Sequence, residues 1–242
     1  MADLILKNPA VATYIHLFKP GDDGKYTVTI LFDKQDPAQM ESVQQIAAAI
    51  TDLITRGTTE EIGWNSEAKA KVIPFPGGNA NDPNFIKTLA LPLKDADTYV
   101  LRQGQNAGKT RAEVNPEFAG KYYMQLSTTK DLTHQTDAEG HPISYLVDAS
   151  QGVAGPALTT ATLYPGAMVK PNIWLSPYPA GKNHGAGISA NLQALIKTGD
   201  GTPLIDLEAR NPLAGFNLPT ANGAKPGTSD TPSANPLAAM GI

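Results

Sequence analysis

Few residues in this 242-residue chain are of a kind and spacing suited to catalysis. The four histidines, His16, His134, His141 and His184, are scattered, and none has the i, i+4 helical spacing of metal ligands. His134 and His141 flank Asp137 and Glu139 in what reads as a solvated loop, so no metal site is assigned. Asp95 and Asp97 have the spacing of a Mg²⁺-binding carboxylate pair, the basis of a nuclease reading, but such spacing is common in loops. No G-x-S-x-G elbow, phosphate-binding loop or dinucleotide fingerprint follows a strand. The sequence offers no catalytic residue and requires no cofactor, so the expectation is a binding protein rather than an enzyme.

A second kind of chemistry is better represented. In residues 167–178, Val169, Ile173 and Leu175 fall on one face by strand alternation, joined by Pro171. The opposite face carries Met168, Lys170, Asn172, Trp174, Ser176 and Tyr178. Residues 121–128 repeat the arrangement, with Tyr122, Met124 and Leu126 inward and Lys121, Tyr123, Gln125 and Ser127 outward. An aromatic ring beside an ammonium on an outward face meets the needs of a single nucleic-acid strand: a ring stacks on any base while a cation meets phosphate. The expected stacking residues are Trp174 and Tyr123, with Tyr178 as a third. The expected phosphate contacts are Lys121, Lys170, Lys182, Arg102 and Arg111. The alternative is that the helix or a long loop covers these faces, making Trp174 and Tyr123 core.

The elements that would position these groups are mostly strands. Tyr26, Val28, Ile30 and Phe32 alternate with polar neighbours over residues 25–33, and the turn Pro20-Gly21-Asp22-Asp23-Gly24 links them to a strand over 11–18. One helix follows, with Asp36 as N-cap, Pro37 at its first position and Gln39 at the capping-box position. Val43, Ile46, Ala47, Ile50, Leu53 and Ile54 recur at helical spacing, and Gly57 ends the run. Residues 64–71 suggest a short helix, and Pro74 to Asn79 lie in a long loop. Strands are expected at 98–103, 121–128, 142–148, 167–178 and 187–197. Beyond Asn211 the chain is rich in Pro, Gly, Ala, Asn, Ser and Thr, the composition of a disordered tail. Within it Asn211-Pro212-Leu213-Ala214 recurs as Asn235-Pro236-Leu237-Ala238, a docking motif or a coincidence of composition.

The net charge of −4 is unevenly spread. Residues 87–130 and 149–199 are each net basic, while the segment between them is acidic, and a polyanion responds to such local potential. Cysteine is absent, which excludes disulfides and thiolate metal sites and suggests a reducing compartment. No apolar run approaches the ~20 residues that span a bilayer, and the first residues do not read as a secretion signal, so a cytoplasmic protein is expected.

With these patterns in place, the chain resembles the phage single-stranded-DNA-binding proteins of the T7-like OB-fold group, in a branch formerly catalogued as a domain of unknown function. The resemblance runs over roughly residues 5–205. It is carried by Tyr14-Ile15-His16-Leu17-Phe18-Lys19-Pro20 and the stretch before it from Val11, by Gly24-Lys25-Tyr26 leading into 27–32, and by the helix over 36–54. It continues in Leu91-Pro92-Leu93-Lys94-Asp95, Phe118-Ala119-Gly120-Lys121-Tyr122-Tyr123, and residues 185–201 from Gly185-Ala186-Gly187 to Gly199-Asp200-Gly201. The resemblance implies a mainly β chain: a five-stranded OB barrel with an inserted α-helix and long loops over residues 1–207, and a disordered tail over 208–242. It implies sequence-tolerant coating of single-stranded DNA in phage replication and recombination, in the cytoplasm of the infected bacterial host. T7-like members end in an acidic segment with a terminal aromatic, whereas this chain ends Ala238-Ala239-Met240-Gly241-Ile242. Phage or host replication proteins recruited through the tail would therefore use other features, the Asn-Pro-Leu-Ala repeats first. Self-association is left open. The rival reading is a phage virion-associated structural protein with no DNA binding.

Overall fold

The computed structural model describes residues 2–65 and 69–204. The tail from 208, its two Asn-Pro-Leu-Ala strings and the domain boundary at 207 lie outside the described residues.

Five strands close into a barrel: strand one is Ala10–His16, two is Tyr26–Asp33, three is Lys121–Thr128, four is Met168–Tyr178 and five is Gly187–Gly199. Strands one, two and three form an antiparallel meander, with Val11 opposite Leu31 and Thr27 opposite Ser127. Strand three pairs in parallel with strand five at Ser127 and Asn191. Strand five runs antiparallel to strand four along its length, and Met168 and Val169 of strand four meet Val11 and Ala10 to close the circle. The order one-two-three-five-four, back to one, is that of an OB fold. Short strands extend the wall on either side: Ala2–Ile5 beside strand four, Leu93–Asp95 beside strand three and Leu146–Asp148 beside strand five.

The alternation read from the sequence holds inside the barrel. Val28, Ile30, Phe32, Met124, Leu126, Val169, Ile173, Leu175, Leu192 and Leu195 are buried there. Val43, Ile46, Ile50, Leu53 and Ile54 of the helix Pro37–Gly57 join the same core. Asp36 caps this helix, accepting from the backbone N–H groups of Ala38 and Gln39. The capping box is modified. The Asp36 N–H is already held by the Asp33 carbonyl at 3.2 Å, so the Gln39 oxygen accepts from Asp33 N–H at 2.8 Å instead. Gly57 also has a reason other than the one its position suggests. It is the last helical residue, and a Cβ there would stand 2.5 Å from the Phe75 ring, so only glycine lets the loop pack across the helix end.

Two local expectations are corrected. The described residues of the expected helix over 64–71 are strands: Gly63–Asn65 and Ala70–Val72 pair antiparallel. These strands are only three residues each, too short for the alternation to register against a helical period. Residues 98–103 are not a strand either; Val100 makes only an isolated bridge to Thr110, and the strand of this region is Leu93–Asp95. The long connection between strands two and three folds back on the outer wall here. Leu31, Ala96, Phe118 and Tyr123 form a second apolar cluster outside the barrel, with Tyr99 and Ala112 packed against it.

Candidate nucleic-acid interface

One rung of outward side chains crosses four strands. Thr27 stands opposite Ser127, Ser127 opposite Asn191, and Asn191 opposite Trp174. Because side chains alternate across a strand, these four and their neighbours Thr29, Gln125, Ser189 and Ser176 share the outer face. Apart from Trp174 none is large or charged, so the others make a flat polar floor. The rings and cations rise from its edges.

At one end Trp174, Trp64, Lys25 and Lys130 surround a depression floored by Asn191, Ser127 and Ser176. Trp174 is 40% exposed and Trp64, from the small hairpin, 46%. The depression continues past Lys25 and Ser127 to a middle section lined by Lys94, Tyr123, Gln125, Tyr178 and Ser189. Through Lys94, Tyr123 and Gln125 it reaches a far end lined by Tyr14, His16, Thr29, Tyr99 and Arg111. A side branch along Lys87, Lys94, Tyr99 and Arg102 opens from the same edge. The three sections and the branch share lining residues, so they form one cleft across the barrel wall.

The cations of the cleft are largely left unneutralised. The Lys94 ammonium lies 4.2 Å from the centre of the Tyr99 ring. The Arg111 guanidinium lies 5.4 Å from the Tyr14 ring and 4.7 Å from Phe118. Its Nε is buried without a hydrogen-bond partner among the described residues. Ring faces attract these cations while leaving their charge available to a phosphate. Among the described residues no carboxylate makes an ion pair with Lys94, Arg102, Arg111 or Lys130; Lys25 contacts exposed Asp23 at 3.5 Å.

Tyr14 is held there by an unusual backbone. Strand one bulges between Thr13 and His16, and Tyr14 has φ +46, a region that side chains with a Cβ seldom occupy. The hydroxyl donates to Glu117 at 3.1 Å and accepts from Asn115 at 2.6 Å. Burial, then the Glu117 carboxylate, raises its pKa.

The expected site residues fall into four groups. Trp174, Tyr178, Arg111 and Arg102 line the cleft or its branch. Tyr123 also lines it and stands on the outward face, but it is only 8% exposed, edge-on to Phe118 at 5.3 Å and to Tyr99 at 6.2 Å. That burial pushes its phenol up to about 12. Lys182 is exposed at the tip of a turn over 181–184, closed by Gly181 N–H donating to the His184 carbonyl at 2.9 Å. The other two lysines stand elsewhere. Lys121 begins strand three opposite Asp33, its ammonium donating to the Ala119 carbonyl at 3.3 Å. Lys170 shares the outer face with Trp174 but sits four residues earlier, opposite Ile196.

Sequence reasoning missed Tyr14, Lys25, Trp64, Lys94, Tyr99 and Lys130. Only Lys25 carried a usable signal, being in phase with outward Thr27 and Thr29. Lys94 comes from a strand of only three residues, and the others reach the cleft from a bulge, a short hairpin strand and loops that no strand pattern encodes. The Asp95–Asp97 pair is not free for a metal. Lys34 donates to both carboxylates at 2.6 Å, placing an ammonium where a cation would sit. Asp137, Glu139 and His141 come within 4.8 Å of one another on an exposed turn, where Asp137 already accepts from the N–H groups of Glu139 and His141.

No family model matches the chain, and no curated protein matches its sequence. Among solved structures it is similar to the single-stranded DNA-binding protein from bacteriophage Enc34 in complex with ssDNA, with 20% identity and a TM-score of 0.49 over 82% of this chain and 87% of that one. It is also similar to gp2.5, a single-stranded DNA-binding protein encoded by bacteriophage T7, with 15% identity and a TM-score of 0.48 over 93% of this chain and 99% of that one.

Proposed function

We propose that this chain binds single-stranded DNA in the outer-wall cleft, without reading its sequence. The observation that carries the proposal is the cleft itself: exposed rings at both ends, a polar floor between them, and cations of which Lys94 and Arg111 rest on ring faces rather than on carboxylates. Bases stack on Trp174 and Trp64 at one end and on Tyr14 at the other, each stack contributing roughly 1–3 kcal/mol. Lys25, Lys94, Arg102, Arg111 and Lys130 meet the phosphates, Lys182 meets them at the rim, and Lys170 and Lys121 extend the basic surface past the ends. Tyr123 and Tyr178 supply the walls between. A duplex hides its base faces and so gains only the phosphate contacts. The role is protection of single strands during phage replication and recombination, in the cytoplasm of the infected host. The tail beyond residue 208 is the segment proposed to engage replication proteins. No helix among the described residues is long and apolar enough to cross a membrane.

Tryptophan fluorescence tests this directly, because the chain has two tryptophans and both line the cleft. Titration with a single-stranded oligonucleotide is expected to quench them, the more weakly as salt rises, while duplex of the same length has little effect. Absence of quenching, with no shift in a parallel gel assay, would remove the proposal in favour of a virion-associated structural protein.

A further inference from the structure

Beside the Trp174 end of the cleft lies a pocket of about 370 Å³ whose lining differs from the rest. It is lined by the rings of Trp64, Tyr178 and His184, by Asn65, and by Pro179, Ala180 and Gly181. No charged side chain lines it. We infer that this pocket takes one unstacked nucleobase from the bound strand, a discrete subsite at the end of an otherwise sequence-blind cleft. The inference rests on the cleft binding a single strand.

The first support is that the walls are fixed in advance. The Tyr178 and His184 rings meet edge-on, 5.4 Å apart at 78°. Each occupies space that a side chain would otherwise fill. A Cβ at Gly187 would stand 2.7 Å from the Tyr178 hydroxyl, and one at Gly181 would stand 2.6 Å from His184 Nε2. Two glycines therefore seat two rings, making a rigid aromatic corner that needs no ligand to form. Preorganisation of this kind lowers the ordering cost of binding.

The second support is chemical. His184 Nδ1 lies 3.0 Å from the Gly185 carbonyl, which can only accept, so Nδ1 carries a proton and Nε2 is the ring's remaining polar atom. Three ring walls with polar ring atoms, among them His184 Nε2, suit a flat heterocycle with a hydrogen-bonding edge better than a phosphate or an alkyl chain. The third support is connection. Trp64 lines both this pocket and the depression around Trp174, so a strand stacked at Trp174 can place its next base across Trp64. Lys182, at the tip of the turn that carries His184, lies close enough in sequence to meet the adjoining phosphate.

The test uses the full chain and a short oligothymidine carrying 5-iodouracil, photocrosslinked and mapped by mass spectrometry, with affinity measured alongside. Crosslinks on Trp64, Tyr178 or His184, in addition to Trp174, are expected. In Gly181→Ala the added methyl displaces the His184 ring. Affinity should then fall by about tenfold, the loss of one stacked base, with crosslinks on Tyr178 and His184 gone and that on Trp174 retained. Circular dichroism verifies the variant's fold, and the wild-type crosslink map stands independently if that variant does not fold. Crosslinks confined to Trp174 and the Tyr14 end would overturn the pocket and leave the cleft standing. Failure of the wild-type chain to bind any oligonucleotide would overturn both.

Discussion

Trp174 and Tyr123 leave the barrel wall on the same side, from the two strands that flank strand five, yet their surroundings differ sharply. Strand four is followed by a short connection to strand five, and Trp174 keeps 40% of its surface. Strand three is preceded by the long connection from strand two, which returns across the wall and lays Ala96, Tyr99 and Phe118 over Tyr123. Alternation decides which side of the wall a ring takes. What covers that side is decided by connections whose path depends on contacts distant in sequence. One ring is thus a platform, and the other is the foundation that holds the cleft's edge in place.

Removing each ring in turn separates platform from foundation. Tyr123→Ala deletes a buried ring and both edge-on contacts, so unfolding free energy is expected to fall by about 3 kcal/mol, read by chemical denaturation. Tyr123→Phe, which keeps the ring, should be near neutral. Trp174→Ala should change stability by less than about 1 kcal/mol. It should instead weaken single-strand binding by about tenfold, the value of one base stack. A Tyr123→Ala protein of unchanged stability that lost DNA binding would make both rings platforms and end the distinction.

The same contrast marks how much the sequence disclosed. The inward sets of strands two, three and four were readable because one buried face forces period-two alternation, and the helix was readable from Asp36, Pro37 and its apolar stripe. Leu31 shows where a further clue lay. It sits among the outward residues Thr27 and Thr29, directly opposite Tyr123, and an apolar side chain there signals that the outer wall is covered at that point. The cleft was about half legible. Trp174, Tyr178, Arg102 and Arg111 line it, and the basic segment 87–130 supplies Lys94 and Lys130 as well. Tyr14 was hidden because alternation from Ala12 would point it inward and only the bulge at residues 13–16 turns it out, and Trp64 because its strand is too short to show a pattern.

The cations divide in the same way, with smaller effects. Arg111 and Lys94 rest on rings, while Lys34 is bound by Asp95 and Asp97, and Lys197 by Asp200 at 2.7 Å. Only the first pair has charge to give to phosphates. Arg111→Gln is therefore expected to reduce the slope of log affinity against log salt by about one, the signature of one lost phosphate contact. Lys34→Gln should leave that slope unchanged. Equal effects from the two variants would mean that the binding surface extends well beyond the cleft.

The smallest effect concerns what Lys34 does instead. Its ammonium ties residues 95–97 to the start of the long helix, and Asp97 also accepts from Gly120 N–H at 3.0 Å, fastening the cover to strand three. Burial opposes the charge on Lys34, but its bonds to the two carboxylates outweigh that, and its pKa rises. The Asp97 carboxyl is held below its ordinary value of 3.8, first by the Lys34 bond and then by Gly120. A carboxyl whose folded pKa is depressed binds its proton more readily when unfolded, so its stabilisation is complete above the ordinary value and fades as pH falls through the folded one. Wild type and Asp97→Asn should therefore differ in thermal midpoint by a constant amount above about pH 5, and the gap should close as pH falls below the ordinary value of 3.8. The exposure of the pair keeps the gap small. A gap that persists unchanged into acid would show that Asp97 acts through its hydrogen-bond geometry alone, and that the cover over Tyr123 does not depend on this ion pair.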